Sequence, residues 1–258
     1  MGLQKGRIMS SDLKQAIGKF LETHVDVWGV ASAERFADAP EAHRPARICR
    51  NAATVVVFGI AMPQGILSSP DYNLYALHRC YHSTYKRLDE ISLALCNYLE
   101  ARGKWLAVPV PSYAPLVFHK LEPWGMLSLK HAAVNAGLGS FGRSGQTYHP
   151  QYGSRLRFGA VITDAKIEAD PLLAPDPCPP NCTACAKACP AKAFDINGRF
   201  HKMTCLGFAI KHAIYPLTLQ SKEGLARIER VVNTAGDNYW IACDECIKVC
   251  PLNSDHRQ

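Results

Sequence analysis

Apolar residues near the start of the chain recur at helical spacing. Leu13, Ile17, Phe20 and Leu21 share one face of residues 12–24, which predicts an amphipathic helix. Residues 25–32 and 54–62 are apolar, rich in β-branched side chains and bounded by turn residues, so they read as buried strands. The helical pattern returns over residues 72–101, with Gly103 just past its end as a stop. A short strand over 105–110, a helix over 127–136 closed by Gly137, and a strand over 157–163 complete this half. Helices mixed with several strands in one segment predict a layered α/β or α+β domain.

Five prolines fall between Pro171 and Pro180, which excludes regular helix or central strand there. The boundary is placed near residue 169, giving a domain over 1–168 and a second over 169–258. Helices are expected in the second domain at 205–212 and 222–232.

The second domain has an unusual cysteine content. Eight of the chain's 11 cysteines lie there. One run is Cys178, Cys182, Cys185 and Cys189 followed by Pro190; another is Cys243, Cys246 and Cys250 followed by Pro251; Cys205 stands alone between them. In two-cluster ferredoxins the cysteine before the proline ligates the other cluster. Cys178, Cys182 and Cys185 then take Cys250 as fourth ligand, while Cys189 joins Cys205, Cys243 and Cys246. Every sulfur is used, which predicts two 4Fe–4S clusters. Zinc is the competing reading, since zinc modules also use paired cysteines. Disulfides fit less well in a chain with no secretory signal. The spacing before Cys182 is one residue longer than usual, and Pro177, Pro179 and Pro180 shape that longer loop.

Length and composition are those of a two-domain globular protein: 258 residues, 48% hydrophobic. No apolar stretch of about 18 residues exists, so no membrane span is expected. The N-terminus lacks an apolar h-region and a twin-arginine signal, which leads to the expectation of a cytoplasmic protein. The formal charge of +7 suggests nucleic acid at first sight. Two oxidised clusters of about −2 each, thiolates included, lower it to roughly +3. With no run of basic residues either, a nucleic-acid partner is not expected.

Other motifs carry competing readings. Gly137, Gly139 and Gly142 match G-x-G-x-x-G, with Asp164 about twenty residues on. The dinucleotide fingerprint follows a strand and opens a helix; this one follows a helix, so NAD is disfavoured. With Gly145, Gly153 and Ser154 the same glycines form a stretch short of side chains that can approach a flat ligand closely, or else a tight helix-ending turn with no ligand. His78 and His82 fall on one helix face but lack a third metal partner, and read as a polar face. Cys49, Cys80 and Cys96 read as small core residues. Glu122, beside Pro123 and Trp124, is a candidate general acid near an apolar wall, or an ordinary surface carboxylate. Tyr113, His119 and Lys130 are further proton-donor candidates without a spacing argument.

Two stretches together resemble a known family. SLKHAAVNAGLGSFGRSG and YGSRLRFGAVITD, within 127–164, are similar to the cobalamin domain of epoxyqueuosine reductases. Cys205-Leu-Gly-Phe and CDECIKVCPLN resemble that family's cluster domain, and reductive dehalogenases share the architecture. The resemblance implies an α+β protein: a nitroreductase-like cobalamin domain, then a two-cluster bacterial ferredoxin-like module. It implies that the corrinoid does the difficult chemistry while the protein supplies position, a proton and a dry pocket. The stretch Gly137, Gly139, Gly142, Gly145, Gly153 and Ser154 would then lie against the corrin.

Three departures shape the expected function. Where the family has a D-T-x-P-x-x-E-R stretch, the aspartate position holds Pro123 with Glu122 beside it, and Leu129-Lys130 replace E-R. Arg143 and Ser144 stand where the family has lysine and asparagine. The sequence stops eight residues after Cys250, whereas the tRNA-modifying enzymes continue into a helical-repeat extension. The expected activity is corrinoid-dependent reduction of a small molecule, with electrons from a donor such as ferredoxin or flavodoxin. The alternative is an electron-transfer or corrinoid-activating protein serving another corrinoid protein, and epoxyqueuosine reduction on tRNA comes last.

Overall fold

A computed structural model describes residues 10–103, 105–113, 117–119, 122–212 and 239–253. In chain order, α1 (Ser10–Leu21) leads into β1 (Val27–Ser32), and α2 (Pro45–Ile48) into β2 (Thr54–Ala61). A short α3 (Gln64–Ser68) precedes the 31-residue α4 (Asn73–Gly103), then come β3 (Ala107–Val110), β4 (Val117–His119) and β5 (Glu122–Trp124). After α5 (Leu129–Asn135) there are β6 (Ser140–Phe141), β7 (Thr147–Tyr148) and β8 (Leu156–Thr163). The cysteine-rich part carries α6 (Ala184–Ala188), α7 (Lys202–Ala209), β9 (Ile210–His212), β10 (Tyr239–Ile241) and a last short helix, Glu245–Lys248.

Strands β1, β2, β8 and β3, in that order, form one antiparallel sheet. Alternation along β2 sends side chains to both faces. Val55 and Val57 pack with Ala132 and Ala133 of α5 and Ala136 just after it, while Val56 and Phe58 pack with Ile17 and Leu21 of α1 and with Leu88, Leu95 and Leu99 of α4. Helices cover both faces, so β8 is buried along its whole length and reads as an apolar run interrupted by Arg157. Burying each large side chain here contributes about 1.5–3 kcal/mol. Leu77, Leu88, Ile91, Leu95 and Leu99 recur at helical spacing along α4 and are buried. Its capacity for length comes from having no proline and no glycine before Gly103.

The cysteine-rich part packs against the first part. Met62, Leu77 and Ile241 form a small apolar cluster, with Ile66, Tyr81, Tyr85, Tyr113 and Ile210 around it. Across the expected boundary, Asp170 is still tied to the sheet edge. Its backbone N–H donates to Val30 O (2.8 Å), its carboxylate accepts from Val30 N (2.8 Å) and Lys14 Nζ (2.7 Å), and its carbonyl accepts from Arg35 (2.7 Å).

The sequence reading placed every major element of the sheet and its three covering helices, with ends shifted by a few residues. Gly103 ends up as the last helical residue and not the stop beyond it. The helix expected at 205–212 begins earlier, at Lys202, and ends at Ala209. Ile210 is extended, and Ile210–His212 pairs with Tyr239–Ile241. A β-branched residue favours the strand, but its partner lies far along the chain, so local pattern could not reveal it. The helix expected at 222–232 lies outside the described residues.

Candidate metal centre and the face it adjoins

The eight clustered cysteines fall into two neighbourhoods. Cys178, Cys182, Cys185 and Cys250 line one cavity, together with Arg143, Ser144 and Tyr148. Cys205 and Cys246 belong to the second. Burial pushes the Cys205 thiol up, and the neighbouring sulfurs of Cys189 and Cys243 push it further. Cys246 is pushed up to about 12 by burial first, then by Cys205 and Cys243. Cys246 also feels Cys185 of the first set, so the two neighbourhoods adjoin.

Local structure explains how each sulfur is held. Cys185 sits on α6 and Cys246 on the helix Glu245–Lys248, each a single turn closed before a proline. Backbone N–H groups face several of the sulfurs: Arg143 N donates to Cys178 Sγ and Ala193 N to Cys189 Sγ, both at 3.4 Å. The Arg143 guanidinium donates to the carbonyl of Cys182. The Tyr148 hydroxyl lies between Ser144 Oγ, at 3.0 Å, and Cys250.

These surroundings suit a polynuclear cluster. Burial alone disfavours thiolate at Cys185, Cys205, Cys243 and Cys246. A positively charged iron–sulfur core reverses that preference and deprotonates its ligands, and the N–H groups stabilise the sulfur charge. Among the described residues, no three His, Cys, Asp or Glu side chains converge closely enough to hold a single metal ion.

The glycine stretch contacts the cysteine-rich part directly. A Cβ on Gly142 would strike the Tyr148 ring and stand 3.2 Å from Cys178 Sγ. Gly145, at φ +67°, leaves 3.0 Å between such a Cβ and Phe200. The bare face of Gly137 meets Pro171 O, that of Gly139 meets Tyr148 O, and that of Gly153 meets Asn253. Ser154 is buried against Asn253 as well. The room left by the missing side chains is filled by this chain's own atoms.

Beside the second cysteine set lies a cationic, tyrosine-rich face. Lys130, near the start of α5, donates to Gly145 O (3.0 Å). Its amine is lowered to about 8 by burial first and by the charge of Arg157, against the pull of Cys205 and Cys246. The side chain keeps solvent contact, although dense protein surrounds the amine. Arg157 is 7% exposed, donates to Tyr81 Oη and to the carbonyl oxygens of Ser154 and Leu156, and stands 4.2 Å over the Tyr81 ring. Among the described residues its Nε is buried without a hydrogen-bond partner, as is Thr147 Oγ1 in β7. Burial raises the hydroxyls of Tyr81, Tyr85 and Tyr113, the last to about 12.

Of the sequence candidates, Lys130 and Tyr113 fall on or near this face. Glu122 is the first residue of β5, paired with His119 of β4, and the side chains of both lie outside the described residues. Tyr81 and Arg157 were missed. Their signal was present only as a charged residue inside an apolar strand and an aromatic one turn from Tyr85 on a long helix. Cys49 and Cys96 are buried core residues, as expected, and Cys80 is half-buried.

Residues 178–253 match the family model of a 4Fe-4S double cluster binding domain. The chain is related to the epoxyqueuosine reductases. The epoxyqueuosine reductase of Staphylococcus aureus (strain NCTC 8325 / PS 47) is 33% identical over 158 residues, covering 60% of this chain and 37% of the relative. That of Pseudomonas aeruginosa PAO1 is 26% identical over 247 residues, covering 90% and 61%. The solved epoxyqueuosine reductase of Bacillus subtilis superposes with a TM-score of 0.61 at 20% identity, covering 95% of this chain and 66% of the other. A catabolic reductive dehalogenase gives 0.63 at 17%, covering 99% and 34%. This chain therefore spans between about a third and two thirds of these epoxyqueuosine reductases and reductive dehalogenases, and the likeness to the solved structures establishes the mixed helix-and-sheet fold.

Proposed function

We propose that this protein is an iron–sulfur reductase that drives a corrinoid held on a nitroreductase-like domain. In this reading Cys178, Cys182, Cys185 and Cys250 hold one 4Fe–4S cluster, and Cys189, Cys205, Cys243 and Cys246 the other. The observation that carries it is the adjacency of Cys205 and Cys246 to Lys130, with Tyr81 and Arg157 beyond. The first set instead lines a cavity walled by the exposed Arg143, Pro179 and Pro251. Electrons from a donor such as ferredoxin or flavodoxin then enter at the first set and leave from the second towards the cationic face.

A bound corrinoid would supply reductive chemistry that no side chain here performs; one solved neighbour is a reductive dehalogenase for which a B12-dependent mechanism is suggested. The chain's own residues supply the rest. Arg157 Nε and Thr147 Oγ1, both buried and without a partner among the described residues, would be donors available to the amides of a bound corrinoid. Lys130 holds or releases a proton near neutral pH. Tyr81 accepts from Arg157, which leaves its own proton to donate outward, and burial keeps that hydroxyl protonated. Glu122 remains a candidate acid.

The small-molecule substrate expected from the sequence draws no support from the curated relatives, which are named epoxyqueuosine reductases. Their names favour a second reading, reduction of epoxyqueuosine in tRNA, and one solved neighbour holds an epoxyqueuosine-modified tRNA stem loop. The decisive experiment is anaerobic reconstitution with iron, sulfide and hydroxocobalamin, followed by desalting, metal counting and a visible spectrum. Cobalt retained in proportion to protein supports the proposal. Two full clusters without retained cobalt overturn it in favour of a pure electron carrier. Loaded protein given an epoxyqueuosine stem loop then decides the substrate: turnover establishes the tRNA reading, and its absence removes it.

A further inference from the structure

Cys250 differs from its three partners in the first set: they come from the loop beginning at Cys178, and it arrives from a segment more than sixty residues later. Something must seat it opposite them. Asn253, three residues on, is 5% exposed and occupies the junction between the two parts of the molecule. Its side-chain carbonyl accepts from Ser154 N at 2.7 Å. Its amide donates to Ser154 Oγ and to Ile247 O, both at 2.8 Å. Its backbone N–H donates to Cys250 O (2.9 Å), and its carbonyl accepts from Gln64 Nε2 (2.8 Å).

Only a side-chain amide meets this set of partners, because one end must accept from an N–H while the other donates to a hydroxyl and a carbonyl. An aspartate would accept at one end and leave Ile247 O without its donor. The opposing surface is made for the contact: Gly153, at φ +56°, has no side chain where Asn253 Oδ1 lies. Asn253 thus ties the turn bearing Cys250 to the loop before β8, to α3, and to the helix bearing Cys246.

We propose that Asn253 is a positioning residue for the first cluster, holding Cys250 in place from the sheet-containing part of the protein. This rests on reading Cys178, Cys182, Cys185 and Cys250 as the ligands of one cluster. Groups that orient metal ligands change metal affinity about 10–100-fold when lost. Ser154, taken from the sequence as a corrinoid contact, becomes here the partner of the latch.

The test uses the full chain, reconstituted anaerobically with iron and sulfide, as wild type, Asn253→Ala, Asn253→Asp, Ser154→Ala and Cys250→Ala. Iron content, the EPR spectra of oxidised and reduced samples, and the rate of iron release to a chelator are measured, with far-UV circular dichroism as the folding control. In Asn253→Ala, one cluster should release iron about 10–100-fold faster and give a 3Fe–4S signal on oxidation. The other cluster should keep wild-type kinetics, and Asn253→Asp should rescue only partly. Wild-type spectra and release in Asn253→Ala, or equal loss from both clusters, overturn the proposal. Should Asn253→Ala fail to fold, Ser154→Ala decides: it removes one hydrogen bond, and unchanged release there overturns the latch. A wild type without two clusters, or an unaffected Cys250→Ala, sinks the ligand reading itself and the latch with it.

Discussion

Asn73 Nδ2 donates to Asp244 Oδ2 at 2.9 Å, and both residues are buried. The bond joins the first residue of α4 to the residue between Cys243 and Cys246, so the long helix of one part holds the second cysteine run of the other. Lys248 Nζ, 3.4 Å from Asp244 Oδ1, supplies the nearby positive charge. Removing the amide leaves a buried carboxylate short of a partner, at a cost of about 1–3 kcal/mol. Asn73→Leu should lower the unfolding free energy by that amount, read as a lower urea midpoint at unchanged slope; an unchanged midpoint would show that Lys248 and water suffice.

The crossed assignment of the cysteines makes a prediction that no uncrossed scheme shares. Cys178→Ala combined with Cys250→Ala should damage a single cluster, because both belong to the first set. Cys185→Ala combined with Cys189→Ala should damage both, although these residues are neighbours in sequence. Iron content and the EPR signals of the reduced double variants read the difference directly.

Lys130 offers a pH-dependent signature. Its amine is lowered to about 8, chiefly by burial, so it is largely neutral at pH 9 while ordinary lysines remain charged. Between the folded value and the unfolded one near 10.5 the unfolded state binds more protons, and stability at this site rises with pH. Acylation at pH 8.5 should label Lys130 ahead of the other lysines in protein lacking clusters. Loaded clusters carry negative charge and favour the ammonium form, so cluster loading should slow the labelling. Mass spectrometry of the two forms checks both statements.

Gly145 sits at φ +67° with Phe200 close to where a Cβ would project. Gly145→Ala should cost about 1–3 kcal/mol from backbone strain alone, read as a shift in the unfolding midpoint. Gly198, also at positive φ but with open space around it, is the control for strain without a clash.

The double-cluster domain was legible because its chemistry is written in spacing: two runs, a lone Cys205, and a proline after each last cysteine. The sheet strands were legible because β2, and β8 apart from Arg157, are apolar on both faces. Their partners were not, since hydrogen bonding between β2 and β8 joins residues about a hundred positions apart. The glycine stretch was recognised as a place for close approach, but its bare faces meet Tyr148, Phe200 and Asn253. A glycine marks that something comes near without saying what.

Residue type and local period therefore carried the double-cluster domain, the helical faces and the core strands. Those properties depend on neighbours a few residues away, where spacing and geometry are nearly the same thing. Which cluster faces Lys130, how Arg157 and Tyr81 pair, and how Asn73 and Asn253 grip the second cysteine run depend on long-range contacts. Such contacts form only when the whole chain packs, because a buried polar side chain takes its partners from whichever segments meet it there.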